Sequence, residues 1–212
     1  VTVTASAPAY TSGSVSWTVK QPALYLSGVT TTTTTLTADD PFTVIVGVPY
    51  SSYVSSQAIR AGGTAVTATL TSSDAAVGQL TTALGSGASV TVAIPVGASS
   101  SPGTVAAGGV AFDALTAGTT TVSATISGFV SQPDATRNVT VSAPGITVQT
   151  DSYGLGSGLQ TSAYVNLGAP APTGGLTVRV ESANPSALLV SPNASTPGTS
   201  FVDFAVAAGA SG

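Results

Sequence analysis

The chain has 212 residues, 42% of them hydrophobic and only 6% charged, with a net charge of −4 at neutral pH. This balance excludes the disordered class, which combines low hydrophobicity with high charge. Four basic residues, Lys20, Arg60, Arg137 and Arg179, form no stripe able to neutralise phosphates, so no nucleic-acid partner is expected.

Period-2 alternation opens the chain in Val1-Thr-Val-Thr-Ala5. It continues in Phe42-Thr-Val-Ile-Val46, Val90-Thr-Val-Ala-Ile94 and Leu176-Thr-Val-Arg-Val180, each placing apolar side chains on one face. Helix formers such as Glu, Lys and Met are nearly absent, while Gly (24) and Pro (13) punctuate at short intervals as turns require. The spacing predicts strands near 22–27, 42–48, 64–72, 76–81, 88–95, 109–115, 119–127 and 137–142. Their connections are short, so they are expected to be antiparallel. Seven or eight such strands make an all-β sandwich the expected packing, with an up-and-down barrel as the alternative. Thr30–Thr35 is a run of six threonines, read as an edge strand or loop rather than an ice-binding array. Residues 48–63 form a loop longer than the corresponding segment 167–175.

The chain also repeats itself. Pro144-Gly-Ile-Thr-Val148 matches Pro22-Ala-Leu-Tyr-Leu26, and Arg179–Ala187 echoes Thr69–Val77. The runs before Gly209-Ala-Ser211 and Gly97-Ala-Ser99 match as well, and Val1–Tyr10 matches Thr120–Phe129. Such internal repeats outrank other sequence signals. The chain therefore reads as the closing strands of one module (1–21), one complete module (22–143) and the opening strands of another (144–212).

Val110-Ala-Phe-Asp-Ala-Leu-Thr-Ala-Gly-Thr-Thr-Thr-Val-Ser-Ala-Thr-Ile-Ser-Gly-Phe129, followed by Asn138-Val-Thr-Val141, resembles the closing strands of bacterial Ig-like repeats. Gly156-Ser-Gly-Leu-Gln160 with Gly174-Gly-Leu-Thr-Val178 resembles their opening half. These repeats occur in tandem in very large secreted and surface proteins. The resemblance implies tandem Ig-like β-sandwich modules and an extended role outside the cell; the family shares no catalytic residues. Val19-Lys-Gln-Pro22 and Val141-Ser-Ala-Pro144 leave no room for a flexible linker, which suggests a stiff rod.

The chemistry on offer is sparse. With no His and no Cys, the commonest general base and metal ligand are missing, disulfides and redox chemistry are excluded, and serines lack a histidine partner. Lys20 is the only lysine and is expected at the surface near a module junction. Eight acids offer no facing pair in an aromatic cleft of the kind glycoside hydrolysis needs. No enzyme activity, catalytic residue or cofactor is expected. Calcium at a junction is the sharper reading for Asp39, Asp40 and Asp151, since hard cations want several oxygens, but Asp39-Asp40 before Pro41 reads first as a turn. Tyr50 and Tyr53 in the long loop are the candidate ligand-binding residues, for a glycan or a protein. Trp17 aligns with Val139 and is expected in core or junction packing. Asn138-Val-Thr140 and Asn193-Ala-Ser195 match the N-glycosylation pattern, as chance allows in so hydroxyl-rich a chain.

The expected function is a structural segment of a bacterial extracellular or cell-surface repeat protein forming a filament, stalk or adhesin shaft; the alternative is an adhesive module that binds glycan or protein. Its expected partners are neighbouring Ig-like modules of the same or identical chains, joined as a homopolymeric fibre. No run reaches the roughly 18 apolar residues of a membrane span, so no membrane insertion is expected within the segment. Two completions of 144–212 present themselves: a chain that continues past Gly212, or donor strands from residues 1–21 of another copy. Joining Gly212 to Val1 skips the equivalents of 101–119, including the strand Val110–Leu115, and this count favours the continuous chain.

Overall fold

The computed structural model describes residues 1–51, 53–150 and 154–211, and these form an all-β chain. It divides into two compact units, 1–33 with 38–141 and 34–37 with 142–212.

The first unit opens with an antiparallel hairpin of β1 (Thr2–Ala5) and β2 (Gly13–Ser16), with Val3 opposite Val15. Next come β3 (Ala23–Ser27), β4 (Thr32–Thr34), β5 (Asp40–Tyr50), β6 (Tyr53–Ser56), β7 (Val66–Ser72) and β8 (Gly78–Thr82). Then follow β9 (Gly85–Gly87), β10 (Ser89–Ile94), β11 (Val110–Ala114), β12 (Gly118–Thr125), β13 (Val130–Ser131) and β14 (Thr136–Ser142). They make two sheets, one in the order β10-β7-β12-β14-β4 and one in the order β13-β3-β5-β11-β8-β9, with β6 added to β5. The eight strands expected from alternation are all present. Three that were not expected, β6, β9 and β13, are too short to show a period. The threonine run supplies β4, the edge strand beside β14.

Alternation explains the packing. In β7, Ala68, Leu70 and Ser72 turn inward while Thr67, Thr69 and Thr71 face out. Leu24, Leu26, Phe42, Val44, Val46, Leu80, Val110 and Phe112 from one sheet form a single core with Leu70, Ile94, Val122, Val139 and Val141 from the other. The arrangement is β-sandwich-like. Each fully buried Leu or Phe contributes roughly 1.5–3 kcal/mol. Close approach fixes one glycine: a Cβ on Gly78 would lie 2.1 Å from the Phe112 ring. The buried hydroxyls are satisfied. Ser72 Oγ donates to the Gly78 carbonyl at 2.6 Å, and Thr120 Oγ1 lies 2.8 Å from Ser72 Oγ and accepts from the Asp74 amide at 3.0 Å.

Two expectations need correction. Residues 48–63 are not one long loop: β5 runs on to Tyr50 and turns into β6, so half the segment is a hairpin. Nor is every pair antiparallel, because β13 lies parallel to β3, with Val130 opposite Ala23. Only residues 126–129 separate β13 from β12, so the chain crosses there from one sheet to the other, a step that alternation does not mark.

The second unit holds β15 (Ile146–Thr150), β16 (Ala163–Leu167), β17 (Leu176–Glu181) and β18 (Phe201–Val206), in two antiparallel pairs, β15-β16 and β17-β18. Their pairing repeats that of the first unit. Ile146 stands opposite Leu167 as Leu24 stands opposite Val46, and Leu176 opposite Val206 as Val66 opposite Ile94. The Leu167 amide donates to the Ser211 carbonyl at 2.8 Å, as Val46 does to Ser99 at 2.9 Å. Gly209 and Gly97 both adopt positive φ, at 79° and 85°, and donate to Ala171 and Ile59 at 2.9 Å. The Leu188 amide donates to Asn184 as Gly78 does to Asp74. In place of the β8-β9 pair there is a single bridge, Val190 to Thr199.

Candidate functional site

Three places on the surface have the makings of a site. The first is the turn between β5 and β6. Tyr50 and Tyr53 face each other across it with ring centroids 5.4 Å apart and planes tilted by 53°, and each is more than half exposed. Tilted ring pairs of this kind hold each other at a defined angle. Tyr53 also lines a shallow depression of about 210 Å³ with Tyr25, Val54, Gln132, Pro133 and Asp134. Asp134 is held by Arg137, whose Nη1 donates to its carboxylate at 2.8 Å. Two aromatic faces, an amide and a carboxylate suit a sugar or a peptide better than an ion. Tyr53 was expected here, but Tyr25, Gln132 and Asp134 were not. They come together only through the parallel β3-β13 contact, for which the sequence carries no signal.

The second place is the acid-rich turn before β5. Asp40 Oδ2 accepts from the Thr30 amide at 3.1 Å, so its carboxylate serves the turn. Asp39 is held above the ordinary carboxylate range, first by partial burial and then by the negative charge of Asp113. Asp113 in turn accepts from Gln79 Nε2 at 2.9 Å. Among the described residues no group of three or more acids gathers as a metal site. Asp151, the third calcium candidate, lies outside the described residues. Lys20 reaches the Pro49 carbonyl at 3.5 Å. The two glycosylation-pattern asparagines are engaged locally: Asn138 Oδ1 accepts from Thr121 Oγ1, and Asn193 Oδ1 from Ser195 and Thr196.

The third place is made of strand edges and the apolar residues beside them. Among the described residues β1 pairs only with β2, and β17 only with β18. Val3 is 55% exposed although the matching Val122 is 0% exposed, and Trp17 is 64% exposed where Val139 is 0%. Trp17, expected in core or junction packing, is therefore not in a core, because among the described residues no second sheet covers its hairpin. The second unit shows the same contrast, with Ile146 57% exposed against 0% for Leu24 and Phe204 37% against 3% for Val92. One charged pair stands on this unit: Arg179 Nε and Nη2 donate to the two oxygens of Asp203, each at 2.8 Å, and the guanidinium lies 4.3 Å over the Phe201 ring. Those hydrogen bonds hold the Asp203 carboxyl below its usual range.

Among the described residues no helix is long and apolar enough to cross a membrane. Compared with known families, curated proteins and solved structures, the chain matches none.

Proposed function

We propose that the chain is a structural segment of a bacterial extracellular repeat protein, built of tandem Ig-like modules and serving as a filament, stalk or adhesin shaft. Residues 22–143 form the complete module in this reading, with 1–21 and 144–212 as parts of its neighbours. The observation that supports it is the recurrence of pairing: the same strand registers and turn hydrogen bonds appear in 144–211 as in 22–142. Structural repeats that share a scaffold and not a reactive site serve to extend a chain. Electron microscopy of the purified full-length protein tests the reading. Threads with an axial period of roughly 35–45 Å are expected, from strands rising about 3.3 Å per residue plus their end loops. Compact separate globules would overturn it.

The depression beside Tyr53 favours a second reading, an adhesive module for glycan or protein. Exposed aromatic faces next to a carboxylate and an amide are the groups that sugar rings and hydroxyls use. Binding on a glycan array, lost when Tyr50 and Tyr53 are changed to Ala, would support it; no binding by the unaltered chain would sink it.

A further inference from the structure

We propose that β1 of one copy pairs with β17 of a second copy, so that the chain associates head to tail through a shared four-stranded sheet, β18-β17-β1-β2. The inference rests on the structural reading above and names the partner of its exposed edges. Its template lies within the chain itself. In the complete pair of sheets, β7 is flanked by β10 on one side and β12 on the other, with β14 beyond. The second unit repeats the first two of these as β17 and β18, and the opening hairpin repeats the last two as β1 and β2. The hairpin matches in detail. Val1 and Trp17 exchange backbone hydrogen bonds at 2.7 Å, where Thr120 stands opposite Val139. Tyr10 donates to Ala7 at 3.2 Å as Phe129 donates to Ile126 at 3.1 Å, and Ala9 takes the positive φ of 68° that Gly128 takes at 81°. The edge that β1 leaves unpaired is the one β12 offers to β7, and the edge that β17 leaves unpaired is the one β7 offers to β12.

The template also fixes the register. Val122 pairs with Ser72, Ser123 with Thr71 and Ala124 with Leu70. Transferred, Val3 lies opposite Ser182, Thr4 opposite Glu181 and Ala5 opposite Val180. On the outer face, where Ser123 and Thr71 stand 2.8 Å apart through their hydroxyls, the Thr4 hydroxyl meets the Glu181 carboxylate. Val3 and Trp17 then lie on the face of the shared sheet that corresponds to the one Val122 and Val139 bury. Counting residues weighed against such a joint because neither flanking piece contains a match for β11. In the structure β11 lies between β5 and β8 in the other sheet, not on the path from β7 to β12. The joint therefore closes one sheet without it.

The chain has no Cys, so introduced thiols report the register directly. A Thr4→Cys chain mixed with a Glu181→Cys chain under mild oxidation should give the mixed disulfide dimer as the main product. Both positions are exposed, so the substitutions leave the fold alone. Thr4→Cys mixed with Val180→Cys, which the register puts on opposite faces, should cross-link several-fold less. The unaltered chain should sediment as larger species with rising concentration, and Val3→Asp should abolish this. Equal cross-linking of the two mixtures, a unaltered chain that stays monomeric, or a double variant that closes its disulfide within one chain would each overturn the proposal. A failed cross-link alongside threads in the electron microscope would reject this joint and leave the structural reading standing. Globules together with the mixed dimer would reject the structural reading and keep the joint.

Discussion

The β12-β14 pair and the β1-β2 hairpin are nearly the same object in two settings. Both are antiparallel, both pass through a left-handed residue after the first strand, and both are rich in Thr, Ser and Val. In one, Val122 and Val139 are sealed beneath the opposite sheet; in the other, Val3 and Trp17 face solvent. Local sequence and hydrogen bonding thus define the strands, while burial is decided by what lies across from them. The hairpin shows the same pairing but gains none of the apolar stabilisation that its counterpart enjoys.

The sharpest way to break the comparison is to truncate matched core positions. Leu24→Ala should cost about 2–5 kcal/mol of the first unit's stability, as for a fully buried leucine. Ile146→Ala, at the matching but exposed position, should cost less than about 1 kcal/mol. Urea unfolding followed by unit-resolved hydrogen exchange separates the two, and equal losses would mean that Ile146 is covered in solution.

Next in size is the buried hydroxyl pair. Thr120→Val copies the residue found at the matching position of the hairpin, Val1. It should destabilise the first unit by about 1–3 kcal/mol, since the Asp74 amide loses its acceptor and Ser72 a partner. A neutral result in the same urea series would show that water replaces Thr120 at that spot.

The left-handed turns give a smaller, paired effect. Gly128→Ala should cost about 1 kcal/mol, and Ala9→Gly should gain a similar amount in the hairpin, because a left-handed alanine is strained. Amide exchange of the flanking strands is the readout, and both changes moving stability the same way would contradict the matched turns.

The smallest effect is the response to acid, and its sign differs between the units. Asp39 has a raised folded value, so the native first unit holds its proton more tightly than the unfolded chain does. Its unfavourable contribution is fully present above that raised value and is relieved as pH falls toward the ordinary carboxylate range. Asp203 has a depressed value; its favourable contribution is present above the ordinary range and is lost as pH falls through the depressed value. Hydrogen exchange across a pH series should show these opposite slopes, both shallow because the two groups are open to water. Asp113→Asn should flatten the first slope only in part, since burial is the larger cause.

The strands were legible in the sequence because Val-Thr alternation over five or more residues leaves little choice of structure or facing, as in β7 and β10. Shorter strands such as β9 and β13 carry no period, and the tyrosine depression depends on β13 returning to β3 from more than a hundred residues away. Alternation names the face that Val3 and Trp17 would bury, but whether a partner sheet is present is not a local property. The repeat itself could be read from matched residues, yet only the sheet order separates β11 from the path between β7 and β12, and so changes what a residue count implies.

The outward positions of β7, β12 and β14 carry Thr67, Thr69, Thr71, Ser123, Thr125, Thr136 and Thr140, with cross-strand contacts such as Thr71 to Ser123. A face clad in hydroxyls has few groups that trypsin-like proteases recognise. Of the four basic residues, Arg137 and Arg179 are locked in β14 and β17, which leaves Lys20, just before β3, and Arg60, after β6, outside the strands. Digestion of the folded chain should therefore stop at two cuts, one freeing the opening hairpin and one nicking a surface turn, while the paired sheets stay whole.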